Sequence, residues 1–297
     1  MRLTRWVLFG LLAATVIAVV ALYITSNIGK GPPHTFRLVP QAAATEAELR
    51  SDAGTMVTRL QNLGYTTEAE VGNGSIEVTM FGSEPELRSA VVSSLVQGRL
   101  YVRPVECAAP PYDPRASQSA PVPLECAERY VMSAGVLEVD TRTGLARVRV
   151  QPQPDLSAVP SASVSNEPRG ERVLVPTGPG SGFSGKRLVL GPASLDNSDI
   201  ASAQASDSPH SGWIVDLTLT TDGENAYDVL SEDQFHAYIA FEVDATAVSV
   251  PLTLPTQADD TPAGDTVEMA GDFDKTEAVA LANALTSPLA VPLELTG

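Results

Sequence analysis

The stretch GPGSGFSGK, residues 178–186, carries a glycine-rich loop up to a lysine, with Gly180, Gly185 and Lys186 at a Walker-like spacing. In a phosphate-binding loop of that kind, backbone N–H groups cradle the phosphate, a helix follows, and a Ser or Thr after the lysine holds magnesium. Here Arg187 takes that place and RLVLGP, which follows, reads as a strand. The stretch is therefore expected to be a flexible glycine loop. His34, His210 and His236 lie in different surroundings and show no metal-ligand spacing. QADDTPAGD, residues 257–265, collects carboxylates but lacks the alternating ligands and the final glutamate of a calcium loop. Ser231 and Ser249 have no nucleophile elbow around them. No catalytic, cofactor-binding or metal-binding residue is assigned; an enzyme with a site assembled from distant residues is the least supported reading.

Two cysteines occur, Cys107 and Cys126, in a Pro-rich segment. A redox pair would want the close C-x-x-C spacing, so the pair reads as one structural disulfide in an oxidising compartment.

Composition narrows the partners. With 36 acidic against 19 basic residues the formal charge is −17, which argues against nucleic acid because that needs a basic face. Aromatic residues make up only 5%, so the cores must be built from Val, Leu, Ile and Ala. At the N-terminus, WVLFGLLAATVIAVVALYI (residues 6–24) is uncharged, long enough to cross a bilayer, and preceded by Arg2 and Arg5. It is longer than the apolar region of a cleaved signal, and TSNIGKG after it is a poor cleavage site. The reading is a single uncleaved anchor over residues 1–29, with a cleaved signal as the alternative. It places the N-terminus in the cytoplasm and everything from about Thr25 outside it, on the cell membrane.

The elements that follow show regular punctuation. TFRLVP alternates as a strand; Thr45 and Glu48 form a capping box; Leu49, Ala53, Met56, Leu60 and Leu63 recur at helical spacing. TTEAEV and SIEVTMF flank the Asn73–Gly74 hairpin turn. Ser83 and Glu86 cap a second helix, Gly98 ends it, and RLYVRPV is a last strand. The order β-α-β-β-α-β over 35–105 predicts a ferredoxin-like domain within an α+β fold class. Residues 106–186 are rich in Pro, Ser and Gly and read as a partly flexible connection with one hairpin, VLEVDTRTGLARVRV. A second α+β domain spans 187–297. It contains RLVL, WIVDLTL, a short helix or turn at AYDVLSEDQF, the strand–turn–strand YIAFEVDATAVSVPL, and a helix opened by Asp274 and Glu277.

Three stretches of this second block resemble the SecD family of protein-export membrane proteins. GDFDKTEAVALANAL is similar to the family pattern at Gly271, Phe273, Glu277, Ala278, Leu281, Ala282 and Leu285, and Leu289, Pro292 and Leu293 to its terminal strand. VDLTLTTDGENAYDVLS is similar at Leu217, Thr218, Gly223, Tyr227, Leu230 and Ser231; IAFEVDATAVSVP at Asp244, Ser249 and Pro251. Further upstream, Arg59, Asn62, Leu63, Gly64, Ile76, Val78 and Gly82 resemble the base of the same domain, and Leu100 and Arg103 its closing strand. Ala245 stands where the family's hairpin has Gly, which disfavours a two-residue primed turn, and Ala290 replaces a Pro. The resemblance implies the family's first large extracytoplasmic domain, a base carrying a head subdomain, on one anchor and without the later transmembrane helices that carry proton coupling. It implies no cofactor. The expected function is an accessory that binds preprotein or docks on the Sec translocon without catalysis. Its expected partners are the bilayer through residues 6–24 and translocon components or exported chains. The alternative is an envelope scaffold or regulator bound to another membrane protein.

Overall fold

A computed structural model describes residues 31–116, 124, 126, 137–139, 146–148, 155–164, 167–234, 237–253 and 265–296. The expected anchor at 6–24, His236 and most of the acidic loop at 257–265 lie outside the described residues. Among the described residues, no helix is long and apolar enough to cross a membrane.

In chain order the first elements are β1 (Pro33–Pro40), α1 (Glu46–Asn62), β2 (Thr67–Gly72), β3 (Ser75–Phe81), α2 (Glu84–Ser94) and β4 (Leu100–Ala109). A short hairpin of β5 (Leu137–Val139) and β6 (Ala146–Val148) precedes β7 (Val173–Pro176), β8 (Arg187–Leu190) and β9 (Leu195–Asp196). After a 3-10 turn (Asn197–Asp199) come β10 (Ile200–Ser208), β11 (Gly212–Leu219), α3 (Thr221–Asp233), β12 (Ile239–Val243) and β13 (Thr246–Ser249). The chain closes with β14 (Thr266–Phe273), α4 (Lys275–Thr286) and β15 (Leu293–Thr296). The whole is an α+β protein of several sheets and few helices. It divides into two compact units, one running up to Leu95 and taking back the segment from Leu293, the other Val96–Pro292.

The first unit holds a four-stranded sheet in the order β15-β1-β3-β2, antiparallel throughout. Thr45 and Glu48 form the capping box of α1, with Thr45 N donating to Glu48 Oε2 at 2.7 Å. At the other end Gly64 (φ 92°) donates to Gln61 O and Tyr65 N to Leu60 O, the Schellman pattern that lets glycine end a helix. Leu49, Met56 and Leu60 of α1 and Leu87 and Val91 of α2 are buried, as are Leu38, Ile76, Val78 and Met80 of the sheet. Ser83 precedes α2 but makes no side-chain cap. Pro85, inside the first turn, has no N–H to offer it.

Two expectations are corrected here. RLYVRPV does not close this sheet: the place beside β1 belongs to β15, while β4 pairs with β12 and β8 in the other unit. β4 is buried on both faces and suits a central strand, whereas LELT alternates as a half-buried edge. Nor does Gly98 end α2, which stops at Ser94 with Leu95 as its cap. Gly98 (φ 84°) is required for another reason: a Cβ there would stand 2.1 Å from Ala284 O.

In the second unit the strand order β13-β12-β4-β8-β7 continues past β7, where Thr177 bridges to Ala247 of β13 and Gly178 N donates to Ala247 O at 2.8 Å. The sheet thus curls back on itself around Val105, Val173, Val175, Phe183, Leu188 and Leu190. On the other side, Val102 and Phe241 join Val215, Leu217 and Met269 of the second sheet (β10-β11-β14) and Leu281 and Leu285 of α4. Asp274 and Glu277 exchange the two hydrogen bonds of a capping box at the start of α4. Cys107 and Cys126 are bonded, beside buried Leu156, Leu174 and Val189.

Removing residues 293–297 should strip the partner from one edge of β1. The expected loss is about 3 kcal/mol from the first unit, from one buried leucine and a few ladder hydrogen bonds. Limited proteolysis should then cut first between β1 and α2 while the Val96–Pro292 unit keeps its wild-type resistance.

Candidate functional site

The one fully buried charge cluster among the described ion pairs lies on the second unit's curled sheet. Alternation along β4 sends Val102 into the apolar core and Tyr101 and Arg103 to the opposite face. The antiparallel partner β12 sets Ala240 opposite Arg103 and Glu242 opposite Tyr101, so Glu242 is a diagonal neighbour of Arg103. Arg103 Nε donates to Glu242 Oε2 at 2.6 Å, and both side chains have 0% exposure. Its Nη2 donates to Glu167 Oε1 at 3.4 Å and to Pro168 O at 3.0 Å; Glu167 is likewise at 0%. Its Nη1 donates to Gly191 O, Glu171 O and Arg169 O at 3.0, 3.2 and 3.3 Å. Beneath it lies the Tyr101 ring, 4.7 Å from the guanidinium carbon.

One cation thus faces two carboxylates out of reach of water. Burial, and then the hydrogen bond and charge of Glu167, push the Glu242 carboxyl up to about 9, against the opposing pull of Arg103. Glu242 is therefore protonated at neutral pH. The arrangement is built for holding, not for chemistry on a substrate: no reacting group could reach it. Two further arginines act on the same irregular stretch. Arg99 Nη1 donates to Val164 O at 2.7 Å, and buried Arg187 donates to Leu156 O, Val159 O and Pro110 O. The Walker-like reading fails for a visible reason as well. The loop leads into β8 rather than a helix, and Gly180 packs so tightly on β14 that a Cβ would lie 2.0 Å from Asp272 N.

The positions singled out by resemblance are scattered through both units and are engaged in packing and turns. Arg59 is buried and donates to Ser94 O at 2.7 Å; Asn62 and Gly64 end α1. Gly223 opens α3, where a Cβ would lie 2.3 Å from Asp199 O. Phe273 lays its ring over Gly271, leaving no room for a Cβ, and Glu277 caps α4. Pro251 O accepts from Ile239 N, and Pro292 is half-buried just before β15. Asp244 accepts from the N–H groups of Gln97, Gly98 and Arg99 at 2.7–3.2 Å. Against expectation, Asp244 (φ 51°) and Ala245 (φ 59°) do form a two-residue left-handed turn between β12 and β13. The three N–H bonds hold the strained loop in place. Glu167 and Glu242 were not singled out by the sequence. The available signal was a lone charge inside an otherwise apolar strand, Arg103 in LYVRPV and Glu242 in IAFEV. Among the described residues, no group of three His, Cys, Asp or Glu could hold a metal ion.

Residues 176–291 match the family model described as SecDF, P1 head subdomain. Over these residues the chain carries a head subdomain of the SecD type. The chain is similar to SecDF crystallised in its super-membrane-facing form, with a TM-score of 0.53 and 16% identity over 89% of this chain and 29% of that one. It is also similar to the structure of a membrane component SecDF that enhances protein export, with a TM-score of 0.50 and 16% identity over 89% of this chain and 98% of that one. At such identities the likeness is one of fold, and the chain spans under a third of the first SecDF. No curated protein matches it. The SecD-family match takes in Glu242 but stops short of Arg103 and Glu167, which lie upstream of residue 176.

Replacing Arg103 by Ala should cost about 3–5 kcal/mol, because the buried carboxyl pair, which still carries one negative charge, loses its cation. Lysine should restore little, since a single ammonium cannot serve acceptors on three sides. Chemical denaturation of the two variants measures both. The pH response follows from the raised Glu242 pKa. The folded state binds a proton that the unfolded chain releases above about pH 4.5, so this contribution is complete below that value and is gone above about pH 9. Wild-type melting temperature should fall across that window more steeply than that of Glu242→Gln.

Proposed function

We propose that this chain is an extracytoplasmic, membrane-anchored SecD-like accessory of protein export, acting by binding and without catalysis. The observation that carries this reading is the match of residues 176–291 to the SecDF P1 head subdomain. The first unit supports it. Its strand order and two helices fit the expected ferredoxin-like base, with the fourth strand supplied by the segment from Leu293. Anchoring through residues 6–24 would hold the domain beside the membrane, where an exported chain emerges. The partners in this reading are translocon components or the exported polypeptide itself. An extended chain could add to a strand edge, where backbone hydrogen bonds bind without regard to sequence. The buried cluster fits a framework role rather than an active site.

Site-directed photo-crosslinking in native membranes tests the proposal. Tyr227, Tyr238 and Phe273 are only partly exposed, so the probe belongs at Val229, which is 61% exposed on α3. Capture of translocon subunits or of many unrelated exported chains is the expected result. Capture of a single envelope protein, with neither, would establish the scaffold alternative instead.

A further inference from the structure

We propose that Glu167–Arg172 is a protonation-gated latch: one proton shared by Glu167 and Glu242 keeps this segment fastened on Arg103, and loss of that proton in alkaline surroundings releases it. The geometry requires the proton. Arg103 uses one oxygen of each carboxylate, and the other two, Glu167 Oε2 and Glu242 Oε1, have no hydrogen-bond donor. Both carboxyl groups meet the same guanidinium at 0% exposure, so without a proton two negative charges would face a single positive one. Once the proton leaves, two negative charges share one guanidinium in a dry site, and like charges repel strongly there.

The relief is directional. Glu242 sits in β12, laddered on both sides by β13 and β4. Glu167 sits in an irregular stretch, and Arg103 itself supplies bonds to Pro168 O, Arg169 O and Glu171 O. Its other fastenings include Ala193 N to Arg169 O, a half-exposed pairing of Arg169 with Asp196 and Asp199, and Arg172 with Glu106. The charged groups around the pair are therefore Arg103 from β4, Arg169, Glu171 and Arg172 from the segment, Glu106 from β4, and Asp196 and Asp199 beside β9. Of these cations only Arg103 contacts the carboxyl pair, because Arg169 and Arg172 are engaged with their own acids. Deprotonation therefore frees the segment and leaves the sheet.

Two measurements on the full chain in detergent micelles decide the matter. Infrared spectroscopy should show a protonated carboxyl at neutral pH that is absent from Glu242→Gln. Hydrogen exchange over 167–172, corrected for its intrinsic pH dependence, should accelerate roughly tenfold or more between about pH 7 and about pH 10, a window centred on the loss of one proton. In Glu242→Gln, whose amide is uncharged and can still donate to Glu167, the acceleration should vanish. Glu167→Gln serves as the second variant should the first fail to fold. Absence of the carboxyl band, exchange that does not respond to pH, or acceleration that survives in the amide variants would each overturn the latch.

Discussion

The second unit depends on one buried guanidinium. Arg103 reaches six acceptors, on β12, on the turn at Gly191 and on the irregular chain around residues 167–171. That irregular chain has few ladder partners of its own, and its carbonyls would be left without donors if packed on an apolar sheet. An arginine solves this because five N–H groups radiate from a rigid plane while its charge is met locally. Burying the charge requires a carboxylate, and burying two requires a proton. Packing, charge and proton are thus a single constraint. Arg99 and Arg187 repeat the device on either side, so a stretch of little regular structure is held by side chains where a sheet would use its own backbone.

The same unit shows how close approach replaces sequence preference. Gly98, Gly180, Gly223 and Gly271 each face backbone or a ring where a Cβ could not fit. Three of them lie in loops or at a helix start, where a glycine is easily taken for a mere turn residue. The Asp244–Ala245 turn makes the converse point. An alanine with positive φ costs about 1–2 kcal/mol, and a carboxylate bound to three consecutive N–H groups outweighs it.

The family relationship sits on this framework. The SecDF head match covers the second sheet, α3, α4 and half of the curled sheet. The irregular stretch around 155–171 and all of β4 lie outside it.

Local patterns by themselves determined much: the capped helices α1 and α4, the Asn73–Gly74 hairpin, the β12–β13 pair and the likeness of the C-terminal third to SecD. These follow from side-chain periodicity and from hydrogen bonds between residues three or four apart, which the sequence carries directly. β10, IASAQASDS, was not legible because small polar residues have no strand signature and its strand character comes from β11 beside it. The sheet membership of β4 and β15 was decided only by tertiary structure. Both are plausible last strands, and which one lies beside β1 depends on a pairing between residues more than 250 apart. The buried cluster was decided there too. Arg103, Glu167 and Glu242 are separated by more than 60 residues each, and a charge becomes a shared-proton site only when folding removes the water around it.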